Sequence, residues 1–144
     1  MSIYNDVTEI AAWQLAHKLH LRVDLFLLSP DFRRHYRHVD RLNDAARSGP
    51  RNIEEGFVKD RRAFAYCLRL ARVSQLQVLD HLAEACDQRL ITVDELMIAQ
   101  RLARRSMNAA SGLIRSLEAT SATATTPARR RSPRLIPAVP TGSD

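Results

Sequence analysis

Glycine is scarce in this sequence, with four residues in 144, and no Gly-rich phosphate-binding loop is present. β-Branched and aromatic residues do not gather in the short alternating runs that predict strands, whereas Leu, Ala and Arg dominate. These absences argue against a mostly β protein and against a nucleotide-binding protein of the P-loop type. They indicate an all-α chain with one hydrophobic core.

Long apolar segments are also missing. No run approaches the roughly 18–20 residues that a membrane span needs. The first ten residues, "MSIYNDVTEI", contain neither the basic region nor the apolar region of a secretion signal. We therefore expect a cytoplasmic protein without a membrane partner.

Cysteine is limited to Cys67 and Cys86. On one helix these residues, 19 positions apart, would be separated by about 28 Å. That distance prevents a disulfide or a shared metal within one subunit. We expect two buried apolar thiols.

Four helices are predicted from apolar positions at helical spacing. The first covers residues 6–28 with Asp6 as its cap, and the second begins at Ser29–Pro30. The third covers about 61–87 with Asp60 as its cap, and the fourth follows a capping box of Thr92 and Glu95. Their apolar faces are, in order: Ala12, Leu15, Leu19, Val23, Phe26; Val39, Leu42, Ala46, Gly49, Ile53; Phe64, Leu68, Ala71, Val78, Leu82, Ala85; Leu96, Ala99, Ala103, Ser106, Ala110, Leu113, Leu117.

The stretch "SGPRNIEEGF", residues 48–57, places a proline inside the second helix. Pro50 lacks a backbone N–H and its ring presses on the carbonyl of Ala46, which disfavours a straight helix by about 3 kcal/mol. The apolar period nevertheless continues from Leu42 to Ile53. The sequence therefore predicts a helix that is kinked at Gly49–Pro50 and ends with Gly56 at the C′ position.

Composition changes after residue 119, where Thr, Ser, Ala and Pro replace the periodic pattern. Such a segment cannot bury enough apolar surface to offset the entropy of ordering. We therefore divide the chain into a helical domain, residues 1–119, and a disordered basic tail, residues 120–144. Short connections between four amphipathic helices predict an antiparallel up-down-up-down four-helix bundle.

Three segments together resemble one known family. "SGPRNIEEGF" resembles the signature Ser-Ile-Pro-x-Asn-Ile-x-Glu-Gly-Phe of small four-helix-bundle proteins encoded in intervening sequences of large-subunit ribosomal RNA genes. "AAWQLAHKL" and "AFAYCLRLARVSQLQVL" resemble that family's first-helix and third-helix patterns. The resemblance covers residues 8–118. The matching signature positions are Ser48, Pro50, Asn52, Ile53, Glu55 and Gly56.

The resemblance implies a self-associating bundle, usually a ring-like homopentamer. A related branch, the accessory proteins of diversity-generating retroelements, binds a reverse transcriptase and nucleic acid through a basic surface. No catalytic residue is implied, and no cofactor is expected. The chain departs from the family pattern at four positions: Arg41, Asp44, Gly49 and Gln77.

Basic residues carry the hypothesis of nucleic-acid binding. The formal net charge is +6, and 20 of the 22 basic residues are arginine, which binds phosphate in a bidentate manner. Two interpretations stay open: a phosphate-binding face without sequence specificity, or a solvated face with local ion pairs such as Arg37–Asp40 and Arg41–Asp44. The candidate residues are Arg33, Arg34, Arg37, Arg41, Arg47, Arg51, Lys59, Arg61 and Arg62, with Arg129, Arg130 and Arg131 in the tail.

Other polar groups support weaker hypotheses. Asn52 and Glu55 either form a partner-binding patch or tie the kinked helix to its neighbours, and Glu55 needs a cationic or N–H partner near a helix end. His17, His20 and Asp24 share one helix face but lack a fourth metal ligand, so we expect no metal. No Ser, Cys and His arrangement reaches a catalytic proposal, and we expect a protein that is not an enzyme.

Overall fold

Five α-helices form the part of the chain that the structure describes. This computed structural model describes the backbone of residues 4–129 and the side chains of residues 4–119, and no strand occurs in that region. A short 3₁₀ turn, Val7–Glu9, precedes the first helix. The predicted all-α class is confirmed. The helices are α1 (Ala11–Leu27), α2 (Pro30–His35), α3 (Val39–Phe57), α4 (Arg61–Asp87) and α5 (Val93–Arg129).

The four long helices pack together as a helical bundle. Helix α1 lies against α3 and α5, and α4 lies against the same two helices. α1 and α4 therefore occupy opposite corners of the bundle. The residues predicted to form the apolar faces are buried or half-buried in all four helices, because each helix turns one apolar stripe towards a common core. Among residues 4–129, no helix combines the length and apolar character needed to cross a membrane.

Two apolar clusters make up the core, one near each end of the bundle. One cluster gathers around Val23, Leu82 and Ala99. The other gathers around Ile53 and Leu68. All five of these side chains are fully buried.

A buried polar layer lies between the two clusters. Ser106 of α5 donates a hydrogen bond to the carbonyl oxygen of Ala12 in α1, with an oxygen–oxygen distance of 2.9 Å. Gln75 of α4 donates through Nε2 to the same Ser106 hydroxyl at 3.0 Å. Gly49 of α3 packs on the Gln75 amide, where a Cβ atom would lie 3.1 Å from Nε2. Each long helix therefore contributes one residue to this layer.

Two predicted helix starts are confirmed in atomic detail. The Asp60 carboxylate accepts a hydrogen bond from the backbone N–H of Ala63 at 2.9 Å. Helix α4 begins at Arg61, directly after this cap. Thr92 and Glu95 form the reciprocal capping box before α5, with distances of 2.8 and 3.0 Å. Both devices satisfy backbone N–H groups that the first turn of a helix leaves free.

The start of the first helix differs from the prediction. Asp6 does act as a cap, but for the 3₁₀ turn, because its carboxylate accepts from the N–H of Thr8 at 2.9 Å. Ile10 is extended and only 2% exposed, and α1 begins after it at Ala11. Burial of the Ile10 side chain thus separates the capped turn from the helix.

The predicted second helix is two helices. α2 ends at His35 and α3 begins at Val39, so the prediction of one continuous helix from Pro30 is wrong. Tyr36 has an extended backbone and is 2% exposed. The break in the helix thus coincides with the burial of the Tyr36 ring in the core. The apolar period alone did not reveal this break.

Gly56 does not end α3 as predicted. The helix continues through Phe57, and no glycine among the described residues has a positive φ. Gly56 is instead buried where α3 meets α4. A Cβ atom at this position would lie 2.6 Å from the Cβ of Cys67 and 3.0 Å from the ring of Phe64. A missing side chain, and not a left-handed backbone, is what this position requires.

Helix α5 extends past the predicted domain boundary. It runs through Arg129, ten residues beyond the predicted end of the bundle at residue 119. Alanines at four positions favour helix, whereas the four threonines and Pro127 disfavour it, so helix propensity alone does not explain this extension. The prediction of disorder differs from the structure over residues 120–129, and for residues 130–144 it lies outside the described residues.

Replacing Gly56 with alanine tests the close approach of α3 and α4. We expect Gly56→Ala to lower the free energy of unfolding by about 1–3 kcal/mol, because the new methyl group overlaps Cys67. Gly112→Ala is the matched control. Its Cβ would come no closer than 3.8 Å to another group, so it should be neutral or stabilise by up to about 1 kcal/mol. Urea denaturation followed by circular dichroism measures both, and equal effects would contradict the packing described here.

Candidate nucleic-acid interface

The nine basic residues predicted between positions 33 and 62 all have exposed side chains. They lie on α2, on α3, on the turns that follow these helices and on the first turn of α4. The structure gathers five of them into two open grooves. Lys59 pairs with Glu55, and Arg34, Arg47 and Arg51 line neither groove.

The first groove lies at the turn between α2 and α3 and has a volume of about 410 Å³. We call it the α2–α3 groove. Its basic members come from the end of α2, from the turn and from the first turn of α3. Its lining residues are Arg33, Tyr36, Arg37, His38, Val39, Asp40 and Arg41.

The second groove lies between the start of α4 and the later part of α5, with a volume of about 510 Å³. We call it the α4–α5 groove. Arg61 and Arg62 lie on one wall beside Tyr66, whose side chain is 61% exposed. Arg69, also on this wall, forms an ion pair with Glu118 of α5. An exposed aromatic ring next to free guanidinium groups is an arrangement on which a nucleobase can stack.

Ion pairs are few among residues 4–119, and most of the arginines take no part in them. Three of the four pairs join residues four apart on one helix or at its end: His20–Asp24, His35–Asp31 and Lys59–Glu55. The proposed local pairs Arg37–Asp40 and Arg41–Asp44 are not formed. The basic face of α2 and α3 is therefore not neutralised by its own carboxylates.

A hydrogen-bonded cluster fixes the floor of the α2–α3 groove. The Tyr36 hydroxyl donates to Oε1 of Glu84 at 3.0 Å and lies 2.7 Å from Nδ1 of His81. Because the single phenolic proton goes to Glu84, His81 is the donor in the second bond and carries a proton on Nδ1. The ring of His38 lies close to both Tyr36 and His81, with centroid separations of 6.0 and 6.1 Å.

Burial and charge shift the acidities within this cluster. Burial and the neighbouring Glu84 carboxylate raise the pKa of Tyr36 well above its usual range, so the phenol stays protonated. Burial lowers the pKa of His81, and His38 and Arg41 lower it further, while Glu84 and Asp80 act in the opposite direction. His81 is consequently neutral at pH 7.

Sequence reasoning did not find this cluster. Tyr36 and His81 are 45 residues apart, and nothing in the sequence states that their helices meet. One signal was available. His81 and Glu84 are three residues apart on one helix, the spacing that places two polar groups side by side.

The signature residues 48–57 serve mainly to build α3. The Ser48 hydroxyl donates to the Asp44 carbonyl at 2.7 Å, and the Asn52 side chain donates to the Ser48 carbonyl at 2.9 Å. Ile53 is fully buried, and Pro50 is also buried. The Asn52 contact lies within α3, so it does not tie this helix to its neighbours as one of the two interpretations expected.

Carboxylates near the end of α3 have the partners that the helix dipole demands. Glu55 accepts from Lys59 at 3.1 Å, as the need for a cationic partner near a helix end suggested. Glu54 accepts from Nε1 of Trp13 in α1 at 2.8 Å. Both carboxylates are thus engaged within the fold.

The three polar residues considered as metal ligands on α1 have other contacts. His17 stacks on Trp13 with ring centroids 4.7 Å apart, and His20 lies 3.4 Å from the Asp24 carboxylate. Among the described residues, no group of three or more potential ligands is arranged to hold a metal ion. Cys67 is buried and Cys86 is half-buried, and both are free thiols.

The basic residues proposed in the tail are not placed by the structure. Arg129 is the last residue of α5, and its side chain is not among those described. Arg130 and Arg131 lie outside the described residues. Comparison of the chain with protein-family models, with curated proteins and with solved structures finds no match.

Removing the Tyr36 hydroxyl tests the cluster beneath the α2–α3 groove. We expect Tyr36→Phe to lower the free energy of unfolding by about 1–2 kcal/mol, because the partly buried His81 and Glu84 both lose their partner. Tyr66→Phe, on an exposed ring, is the control and should change stability by less than about 0.5 kcal/mol. Chemical denaturation compares the two variants, and equal stabilities would show that the hydrogen bonds contribute nothing.

Proposed function

We propose that the protein is a non-enzymatic, self-associating helix bundle that binds RNA or DNA through its basic surface without sequence specificity. One observation carries this proposal: exposed arginines cluster along α2, α3 and the start of α4 without carboxylate partners. Counterions released from a strand by such side chains supply affinity for any sequence.

The arginines of α2 and α3 form no ion pair with a described carboxylate, and this favours a strand as their partner. Exposed arginines in proteins often pair with local carboxylates, and such pairs contribute little to stability. Here Asp40 and Asp44 lie close to Arg37 and Arg41 in sequence, yet the pairs do not form. Guanidinium groups left free in this way can contact phosphates without first giving up another partner.

Sequence-specific readout has little support on this surface. Base-edge recognition needs side chains held on a helix or ribbon that fits a groove of the duplex. The basic residues here lie on the outside of a bundle and on turns, with Tyr66 as an exposed aromatic ring. Backbone contacts with occasional base stacking fit this arrangement.

Two exposed apolar stripes support self-association. On α1, Leu21, Leu25 and Leu28 are 48%, 58% and 74% exposed. On α4, Leu70, Val73 and Leu76 recur at a spacing of i, i+3 and i+6 and are 36%, 51% and 52% exposed. α1 and α4 occupy opposite corners of the bundle, so one copy can present its α1 stripe to the α4 stripe of the next. Such a head-to-tail contact closes into a ring when the rotation allows it.

We extend the proposal to the order of the helices, the bend in α3 and the family. We propose an antiparallel up-down-up-down bundle with α3 bent at Gly49–Pro50, related to the intervening-sequence proteins and assembling as a pentamer. Two contacts support the antiparallel order. Trp13 at the start of α1 bonds Glu54 near the end of α3, and Arg69 early in α4 pairs with Glu118 late in α5.

Strand binding is tested by fluorescence anisotropy with the full chain and a labelled single-stranded RNA across a salt series. We expect affinity to fall with salt at a log–log slope near −2 to −3, which corresponds to about three or four neutralised phosphates. Replacing Arg129, Arg130 and Arg131 together with glutamine separates the tail from the bundle. If binding survives this change, the folded surface is the site.

The contrary results are equally clear. If the tail variant alone loses binding, the bundle is only a platform for the tail. If the wild-type chain does not bind at low salt, the nucleic-acid proposal fails. The protein is then better described as an interaction scaffold, which the exposed stripes on α1 and α4 also favour.

Self-association is tested with Leu25→Glu and Val73→Glu, measured by light scattering after size exclusion. Each variant alone should be monomeric, because a charge in either stripe blocks one side of the head-to-tail contact. A mixture of the two should give a dimer, since each variant retains the stripe that the other lacks. Asn108→Glu, on the exposed surface of α5 and outside both stripes, is the control and should assemble normally. A mixture that stays monomeric would contradict the head-to-tail contact.

A further inference from the structure

The α2–α3 groove brings three arginines together around one turn of the chain. Arg33 lies in the last turn of α2, Arg37 lies in the connection between α2 and α3, and Arg41 lies in the first turn of α3. Arg33 donates to the backbone carbonyl of Leu27 at 3.3 Å, which directs one side of its guanidinium group. Arg37 and Arg41 form no ion pair. Three positive charges thus share one concavity in which Asp40 is the single carboxylate of the lining.

The start of α3 opens onto the same groove. α3 begins after His38, which makes no side-chain capping bond to the first turn. Val39, Asp40 and Arg41 of the first turn line the groove. The free backbone N–H groups of this first turn carry partial positive charge, which adds to the positive charge of the arginines.

The groove has a floor that cannot readily move. Tyr36 is 2% exposed and is held by Glu84 and His81 of α4. His38 contacts both rings. The turn that carries Arg37 is thereby anchored to the neighbouring helix α4. Arginines on an anchored turn lose less conformational entropy on binding than arginines on a free one.

We propose that the α2–α3 groove holds a phosphate group of a bound nucleic-acid strand between Arg37, Arg41 and the start of α3, and that His81 takes up a proton when it binds. This inference rests on the proposed function and names the part of the basic surface that carries it. The phosphate is either a diester within the strand or the monoester at its end.

Guanidinium groups suit this ligand because their paired N–H donors match two phosphate oxygens. A volume of about 410 Å³ accommodates a phosphate with its attached sugar and leaves the rest of the strand outside. Asp40 does not match an anion, and its carboxylate must turn away from the phosphate. The remaining charged members of the lining are all cationic.

Proton uptake follows from the neighbours of His81. The groups that face it are Tyr36 and His38 from the turn, Arg41 from α3, and Asp80 and Glu84 from α4. In the free protein, burial and the neighbouring His38 and Arg41 lower the pKa of His81. An anion close to Arg41 offsets that positive charge and raises the pKa of His81 in the complex. Binding therefore takes up a proton and strengthens as pH falls.

The experiment compares two matched double variants of the full chain. Arg37→Gln with Arg41→Gln removes two charges from the groove, and Arg101→Gln with Arg104→Gln removes two exposed charges from α5. The probe is a labelled uridine oligonucleotide with a 5′-hydroxyl, in which neither bases nor diesters titrate between pH 5.5 and 7.5. We expect the groove variant to bind at least tenfold more weakly than wild type and the α5 variant to bind within twofold of it.

Two further arms identify the phosphate and the proton. The same oligonucleotide with a 5′-phosphate binds more tightly if the groove takes the chain end, and the groove variant abolishes that difference; equal affinities assign the groove to an internal diester. Wild-type affinity should rise between pH 7.5 and 5.5, and His81→Gln should flatten this rise. His20→Gln, a histidine on α1, is the control and should leave the rise unchanged. Circular dichroism confirms that each variant is folded.

Contrary outcomes separate this inference from the proposed function. If the groove variant and the α5 variant weaken binding equally, the groove is not the site, although the protein still binds strands. If His81→Gln leaves the pH dependence unchanged in a folded protein, the coupling to His81 is wrong. If wild type does not bind the oligonucleotide, both proposals fall together.

Discussion

The register of the bundle depends on one polar layer. The Ser106 hydroxyl joins the Ala12 carbonyl of α1 to the Gln75 amide of α4, and Gly49 lets α3 approach that amide. Sliding α4 against α5 by one turn would separate Gln75 from Ser106, at a cost of about 1–3 kcal/mol for each buried group left without its partner. Apolar side chains above and below could pack in several registers, whereas this layer accepts one. The grooves inherit their geometry from it, because they form where neighbouring helices meet.

Acidic and basic side chains have different roles in this protein. Carboxylates near helix ends are engaged within the fold, as Asp60, Glu55 and Glu95 show. Many arginines are left exposed. Carboxylates used as caps cannot also neutralise a basic face.

The positions of the long helices and their buried faces could be predicted from the sequence because they depend on local spacing. Leu68, Val78 and Ala103 are examples. The caps at Asp60 and Thr92 were equally local. The break at Tyr36 could not be predicted, since it depends on a contact with His81 that lies 45 residues away. Gly56 was misassigned for a similar reason. A glycine can serve a left-handed turn or a close helix contact, and only the position of Cys67 on α4 distinguishes the two.

The contact between Gly56 and Cys67 gives the chain two thiols of unequal accessibility. Cys67 is 4% exposed at the meeting of α3 and α4, whereas Cys86 is half-buried. A thiolate reacts only when reagent can reach it. An alkylating reagent will therefore modify Cys86 in the native bundle and reach Cys67 only when α3 and α4 separate. The ratio of the two labelling rates therefore reports how often α3 and α4 separate, and it needs no introduced cysteine.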